Sequence, residues 1–127
     1  MKARLKILYV ESDQAIRDSI EKFIQLMLHV TIVGIKSDDE AIQYLQNNND
    51  VNLIITEMHS QDVNGMKIID FLRENSLDIP LIITDEFEEG KELSQALEDI
   101  VSILVPKPFN IQKLVHTIEE SLFLKSS

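Results

Sequence analysis

Val51-Asn52-Leu53-Ile54-Ile55-Thr56 runs directly into Glu57-Met58-His59-Ser60-Gln61-Asp62-Val63-Asn64-Gly65, and the junction at Glu57 governs how the whole chain is read. The first six residues are mostly aliphatic and β-branched, with no polar alternation. Such a run suits a strand covered on both faces, as in a parallel sheet. From His59 onward the chain is mostly polar and ends in Asn64-Gly65, the chemistry of a turn. The strand therefore delivers a carboxylate, Glu57, to the edge at which it ends.

Four more runs of the same character flank it: Leu5–Val10, Val30–Ile35, Pro80–Thr84 and Ser102–Val105. Amphipathic segments alternate with them. Ile16, Ile20, Phe23, Ile24 and Met27 recur at helical spacing, as do Ala41, Ile42 and Leu45, then Ile68, Ile69 and Leu72, then Leu93, Ala96, Leu97 and Ile100. The last stripe, Ile111, Leu114, Val115, Ile118 and Leu122, is the clearest. Ser37 with Glu40 three residues on has the form of a capping box, and Asn110 that of an N-cap. Asn47-Asn48-Asn49-Asp50 and Glu74-Asn75-Ser76 read as turns closing the second and third helices. The pattern is α/β, a (βα)₅ doubly wound parallel sheet with right-handed crossovers and strand order 2-1-3-4-5. One domain is expected over residues 1–127, with its core at about 5–123.

Composition narrows the function. Acids outnumber bases 22 to 12, for a net charge of −10, so the surface repels a phosphate backbone and direct nucleic-acid binding is not expected. No apolar run approaches the ~20 residues of a membrane span, and no signal peptide is recognised. The absence of cysteine removes disulfides and thiolate metal sites, and the expected compartment is the cytoplasm. In open α/β sheets ligands sit beyond the carboxyl ends of the strands, where strand order reverses. That point lies between strands one and three, so Glu11-Ser12-Asp13 and Glu57-Met58-His59 should share a crevice, with Lys107 on its rim.

With these motifs in place, the chain resembles the receiver domain of bacterial two-component response regulators, a flavodoxin-like fold. The resemblance is carried by Ile7-Leu8-Tyr9-Val10-Glu11, by Asn64-Gly65 with its glycine eight residues past Glu57, by Ile79-Pro80, and by Lys107-Pro108-Phe109. It covers Lys6 to about Leu122. Each motif alone is weak, and all four in order at the family's spacing are strong. The resemblance implies a cis bond at Lys107-Pro108. It also implies a site in which an acidic pair and an aspartate hold magnesium, the aspartate takes a phosphoryl group, and a Thr or Ser and a lysine bind that group.

Residue by residue, the carry-over is incomplete. The acidic pocket falls on Glu11, Ser12 and Asp13, with Ser12 in place of the second acid and Asp13 aimed elsewhere from a helix start. Glu57 stands at the phosphoacceptor position, one methylene longer than aspartate. Asp85, twenty-two residues before Lys107, holds the Thr/Ser position and is followed by Glu86, where the family has a small residue. A one-residue shift would place Thr84 there instead. Only Lys107 matches cleanly, and Leu104 occupies the aromatic switch position. Ser12 is read first as a helix-capping hydroxyl, His59 as an exposed loop histidine, and Lys107 as an ion-pair partner of Glu57 or Asp85.

The implied metal positions are Glu11, Glu57 and His59. No cofactor is expected, beyond weak magnesium binding at most. The expectation is an atypical receiver, not an enzyme, serving as a signalling and protein-interaction module without normal aspartyl phosphorylation. Its partners would be a histidine kinase, an output domain or another signalling protein, or a second copy through the fourth and fifth helices. The alternative is a conventional phosphorelay receiver whose tuned pocket is still phosphorylatable. A cobalamin-type reading of Glu57-Met58-His59-Ser60-Gln61-Asp62 rests on the histidine alone.

Overall fold

The structure is a computed structural model that describes residues 4–85, 102–106 and 110–126. Its centre is one parallel sheet of β1 (Leu5–Val10), β2 (Val30–Ile35), β3 (Leu53–Glu57), β4 (Leu81–Asp85) and β5 (Ser102–Pro106), in the order β2-β1-β3-β4-β5. Helices α1 (Gln14–Met27), α2 (Asp38–Asn47), α3 (Gly65–Glu74) and a C-terminal helix (Ile111–Ser126) complete the described elements. The fourth amphipathic segment, Leu93 to Ile100, lies outside the described residues, as do Glu86, Lys107 and Pro108.

The doubly wound architecture follows from strands that are apolar on both faces. On one face Leu8, Val10, Ile54 and Ile83 pack with Ala41 and Leu45 of α2 and with Ile68, Ile69 and Leu72 of α3. On the other, Ile7, Tyr9, Ile55 and Ile82 meet Ile24 of α1 and Leu114, Ile118 and Leu122 of the C-terminal helix. Fully burying one such aliphatic side chain contributes about 1.5–3 kcal/mol, so these two layers outweigh the individual hydrogen bonds at the strand ends.

β1 and β2 have the bounds read from the sequence, and β3 begins two residues later than the apolar run. Asn52 is the reason: its side-chain oxygen accepts from Lys6 N–H at 2.8 Å while its own N–H reaches Lys6 O at 2.9 Å, a local closure preceding the regular ladder. Ser37 and Asn110 cap as expected, accepting from Glu40 N–H at 3.2 Å and Gln112 N–H at 2.8 Å.

The stripe on α1 departs from expectation. Of its five apolar positions only Ile24 is buried, while Ile16 is 43% and Met27 54% exposed. The helix leans on β2, where Gly34 lets it approach closely: a Cβ at Gly34 would run into the Glu21 carboxylate and Arg17. α1 packs mainly against β2, the edge strand of the sheet, which leaves the outer part of the stripe uncovered.

Gly65 has a different constraint. A Cβ there would stand 2.7 Å from the Glu57 carbonyl and 3.0 Å from Met58 Cα, both backbone atoms that cannot swing aside. Its N–H closes the loop onto Met58 O at 2.9 Å. Gly65→Ala should therefore cost about 1–3 kcal/mol of stability by overpacking, read as a lowered midpoint in urea denaturation.

Candidate functional site

The crevice forms where β1 and β3 end side by side, because Val10 and Thr56 are register partners and each is followed in sequence by a glutamate. Glu57 is the last residue of β3 and only 6% exposed, and Glu11 follows β1 at 1%. A buried carboxylate is costly unless hydrogen-bonded or paired, so the partners of these two decide what the site is. Glu57 Oε1 accepts from Ser12 N–H at 2.8 Å and from the Ser12 hydroxyl at 3.0 Å. Glu11 Oε2 accepts from Asp13 N–H at 3.1 Å, and the Glu11 carbonyl takes the Arg17 guanidinium at 2.7 Å.

This corrects the first reading of Ser12. The α1 N-cap is Asp13, whose carboxylate accepts from Ile16 N–H at 3.0 Å. Ser12 is thereby released from capping, and its hydroxyl crosses to Glu57. Asp13 points outward, as expected of a residue at a helix start.

Asp85 ends β4 and reaches toward the loop after β3, where its Oδ2 accepts from His59 N–H at 2.9 Å. Thr84 is the register partner of Glu57 and shares its sheet face, while Asp85 falls on the other face by strand alternation. Thr84 is sealed at 1% exposure, and its hydroxyl has no hydrogen-bond partner among the described residues. Asp85 is the residue at the lip.

His59 is exposed, as read from the sequence, but it does not join Glu11 and Glu57. Among the described residues no three His, Asp or Glu side chains gather into a group able to hold a metal ion. The loop itself explains this, since His59 and Asn64 form an antiparallel bridge and Ser60 N–H bonds Val63 O at 3.1 Å, which turns His59 toward β4. The expected contacts of Lys107 and the cis bond at Pro108 lie outside the described residues.

Two participants escaped the sequence reading. Asp38, buried at the start of α2, accepts from Asn64 N–H at 2.5 Å and lies 3.8 Å from Lys67 Nζ, anchoring the loop after Glu57. Tyr9 lies on the β1 face behind the crevice, 1% exposed, with a hydroxyl that has no partner among the described residues. Burial first, and then the charges of Glu11 and Glu57, push its pKa well above the ordinary range. An aromatic hydroxyl among the aliphatic residues Ile7, Leu8 and Val10 of β1 was the available signal for the second. Nothing in the sequence distinguished Asp38 from its two acidic neighbours.

A family model for the response regulator receiver domain matches residues 7–119. The chain belongs to that family. It is similar to a chemotaxis protein CheY homologue of Campylobacter jejuni, with 28% identity over 121 residues that cover 93% of this chain and 92% of the relative. In structure it resembles the receiver domain of a Francisella response regulator, at TM-score 0.84 and 18% identity, covering 95% of this chain and 98% of the other. It also resembles the beryllofluoride-activated receiver domain dimer of NtrC4, at TM-score 0.79 and 21% identity, covering 92% of this chain and 95% of the other. These structural likenesses establish the receiver fold, and among the described residues no helix is long and apolar enough to cross a membrane.

The raised pKa of Tyr9 carries a sign that can be tested. Below about pH 10 the phenol is neutral in both folded and unfolded chains, so the contribution is fully present there. Above it the unfolded chain ionises first, and stability falls as pH rises. Tyr9→Phe should stabilise the fold by about 1 kcal/mol at neutral pH by removing an unpartnered buried hydroxyl. Its advantage over wild type should widen in urea titrations above about pH 10.

Proposed function

We propose that this chain is an atypical receiver that acts as a signalling and protein-interaction module without normal aspartyl phosphorylation, and that it is not an enzyme. The carrying observation is the double hydrogen bond from Ser12 to Glu57 Oε1. A receiver carboxylate must present an oxygen to the phosphoryl donor, and catalysis there consists mainly of positioning and charge neutralisation. Here one oxygen of the carboxylate at that position is engaged by two donors of the neighbouring turn. The nucleophile is also displaced by a methylene, and a shift on the order of 1 Å can cost about 10²-fold in rate. Asp85 adds to the same reading: at the lip of the crevice, in the position where the family has a hydroxyl, it contributes negative charge that disfavours an incoming phosphoryl group.

Partners on this reading are proteins of the phosphorelay: a histidine kinase, an output domain or another signalling protein, in the cytoplasm. Self-association is part of the proposal, supported by the dimeric state of the NtrC4 receiver.

Intact-mass spectrometry after incubation with magnesium and acetyl phosphate tests the central point. Wild type is expected to show no phosphoryl-sized gain, and a triple reversion, Ser12→Asp, Glu57→Asp and Asp85→Thr, is expected to show one. A gain in wild type would replace this function with that of a conventional receiver whose substitutions tune the switch.

A further inference from the structure

We infer that the turn between β1 and α1 takes the place of a divalent cation, so that this crevice neutralises its carboxylates with backbone amides and excludes magnesium. The inference starts from charge. Glu11 and Glu57 are 1% and 6% exposed at neighbouring strand ends, and ionised carboxylates so placed need compensation. Successive N–H groups of the turn contribute to it: Ser12 N–H to Glu57 Oε1 at 2.8 Å and Asp13 N–H to Glu11 Oε2 at 3.1 Å. Consecutive amides arranged around anionic oxygens form the kind of concavity that elsewhere binds free anions. In this chain the anions are its own side chains.

The same geometry does not fit magnesium. The ion demands near-octahedral oxygen ligands at about 2.0–2.1 Å, commonly one or two carboxylates together with water. A backbone N–H has no lone pair to offer, and its hydrogen takes one of the two lone-pair directions of the carboxylate oxygen it bonds. On Glu57 Oε1 the Ser12 hydroxyl is a second obstacle at 3.0 Å, since toward an ionised carboxylate it can only donate. Ser12 is thus a donor directed at Glu57, where the receiver family has a metal-ligating acid. The longer glutamate and the shorter serine are complementary changes, each closing the gap that the other leaves.

The inference goes beyond the proposed function, because it concerns cation binding and stability and holds whether or not a protein partner is found. The test is urea denaturation of wild type at 0 and about 10 mM magnesium chloride, with sodium chloride matched for ionic strength. No magnesium-specific change of midpoint is expected. A saturable increase would overturn the inference, and this arm decides alone if the double variant Ser12→Asp/Glu57→Asp does not fold.

In that double variant the donor is replaced by an acid and the reach is shortened. A saturable magnesium stabilisation should then appear, multiplying the folding constant about elevenfold at ten times Kd. A folded double variant that ignores magnesium would also overturn the inference, since the bridge would not be what keeps the cation out. Phosphoryl gain by a wild type that remains indifferent to magnesium would defeat the proposed function and leave this inference standing.

Discussion

A glutamate at the end of β3 and a serine just after β1 meet across the one place in this fold where strand order reverses, and the character of the crevice depends on that contact. Glu57 Oε1 takes both donors of Ser12, at 2.8 and 3.0 Å. A hydrogen bond to a charged group contributes about 1.5–3 kcal/mol when well shielded, whereas leaving a buried carboxylate without donors costs more than either bond returns. On the proposed reading, the Glu57 oxygen that would face a phosphoryl donor is engaged by protein atoms instead.

The surrounding ties point the same way. Gly65 packs against the Glu57 carbonyl and Met58, Asp38 holds Asn64 N–H, and Asp85 holds His59 N–H. Each fixes the segment after β3 to a different neighbour: α3 through Gly65, α2 through Asp38, β4 through Asp85. With Ser12 holding Glu57 from the β1 side, the loop that would respond to phosphorylation is bound to the fold by side chains and backbone.

Much of the fold was legible because its signals are local and redundant. Aliphatic runs bounded by turns placed the strands, and alternation with amphipathic segments fixed a parallel sheet. Its order, β2-β1-β3-β4-β5, is the one that the resemblance to receiver domains implied, since crossover handedness alone allows more than one doubly wound order. Ser37 and Asn110 were readable as caps because capping depends on residues two or three apart. The α1 stripe misleads for the opposite reason: periodicity shows which face is apolar, whereas coverage depends on the neighbours, and α1 lies mainly against the edge strand β2. In the site, the identities at Glu11, Ser12, Glu57 and Asp85 were legible by position. Their partners were not, because the Ser12–Glu57 and His59–Asp85 bonds join residues 45 and 26 positions apart. Asp13, rather than Ser12, takes the cap because the helix starts one residue later than a capping serine requires.

The measurement that bears most directly on the Ser12–Glu57 bridge is a double-mutant cycle on Ser12→Ala and Glu57→Ala, read by urea denaturation. If the two side chains act as one unit, the effects should be non-additive, with a coupling of about 1 kcal/mol or more from the hydroxyl–carboxylate bond. Additivity within about 0.3–0.5 kcal/mol would mean that the two residues are merely neighbours, and that the bridge at the centre of the crevice carries no energy.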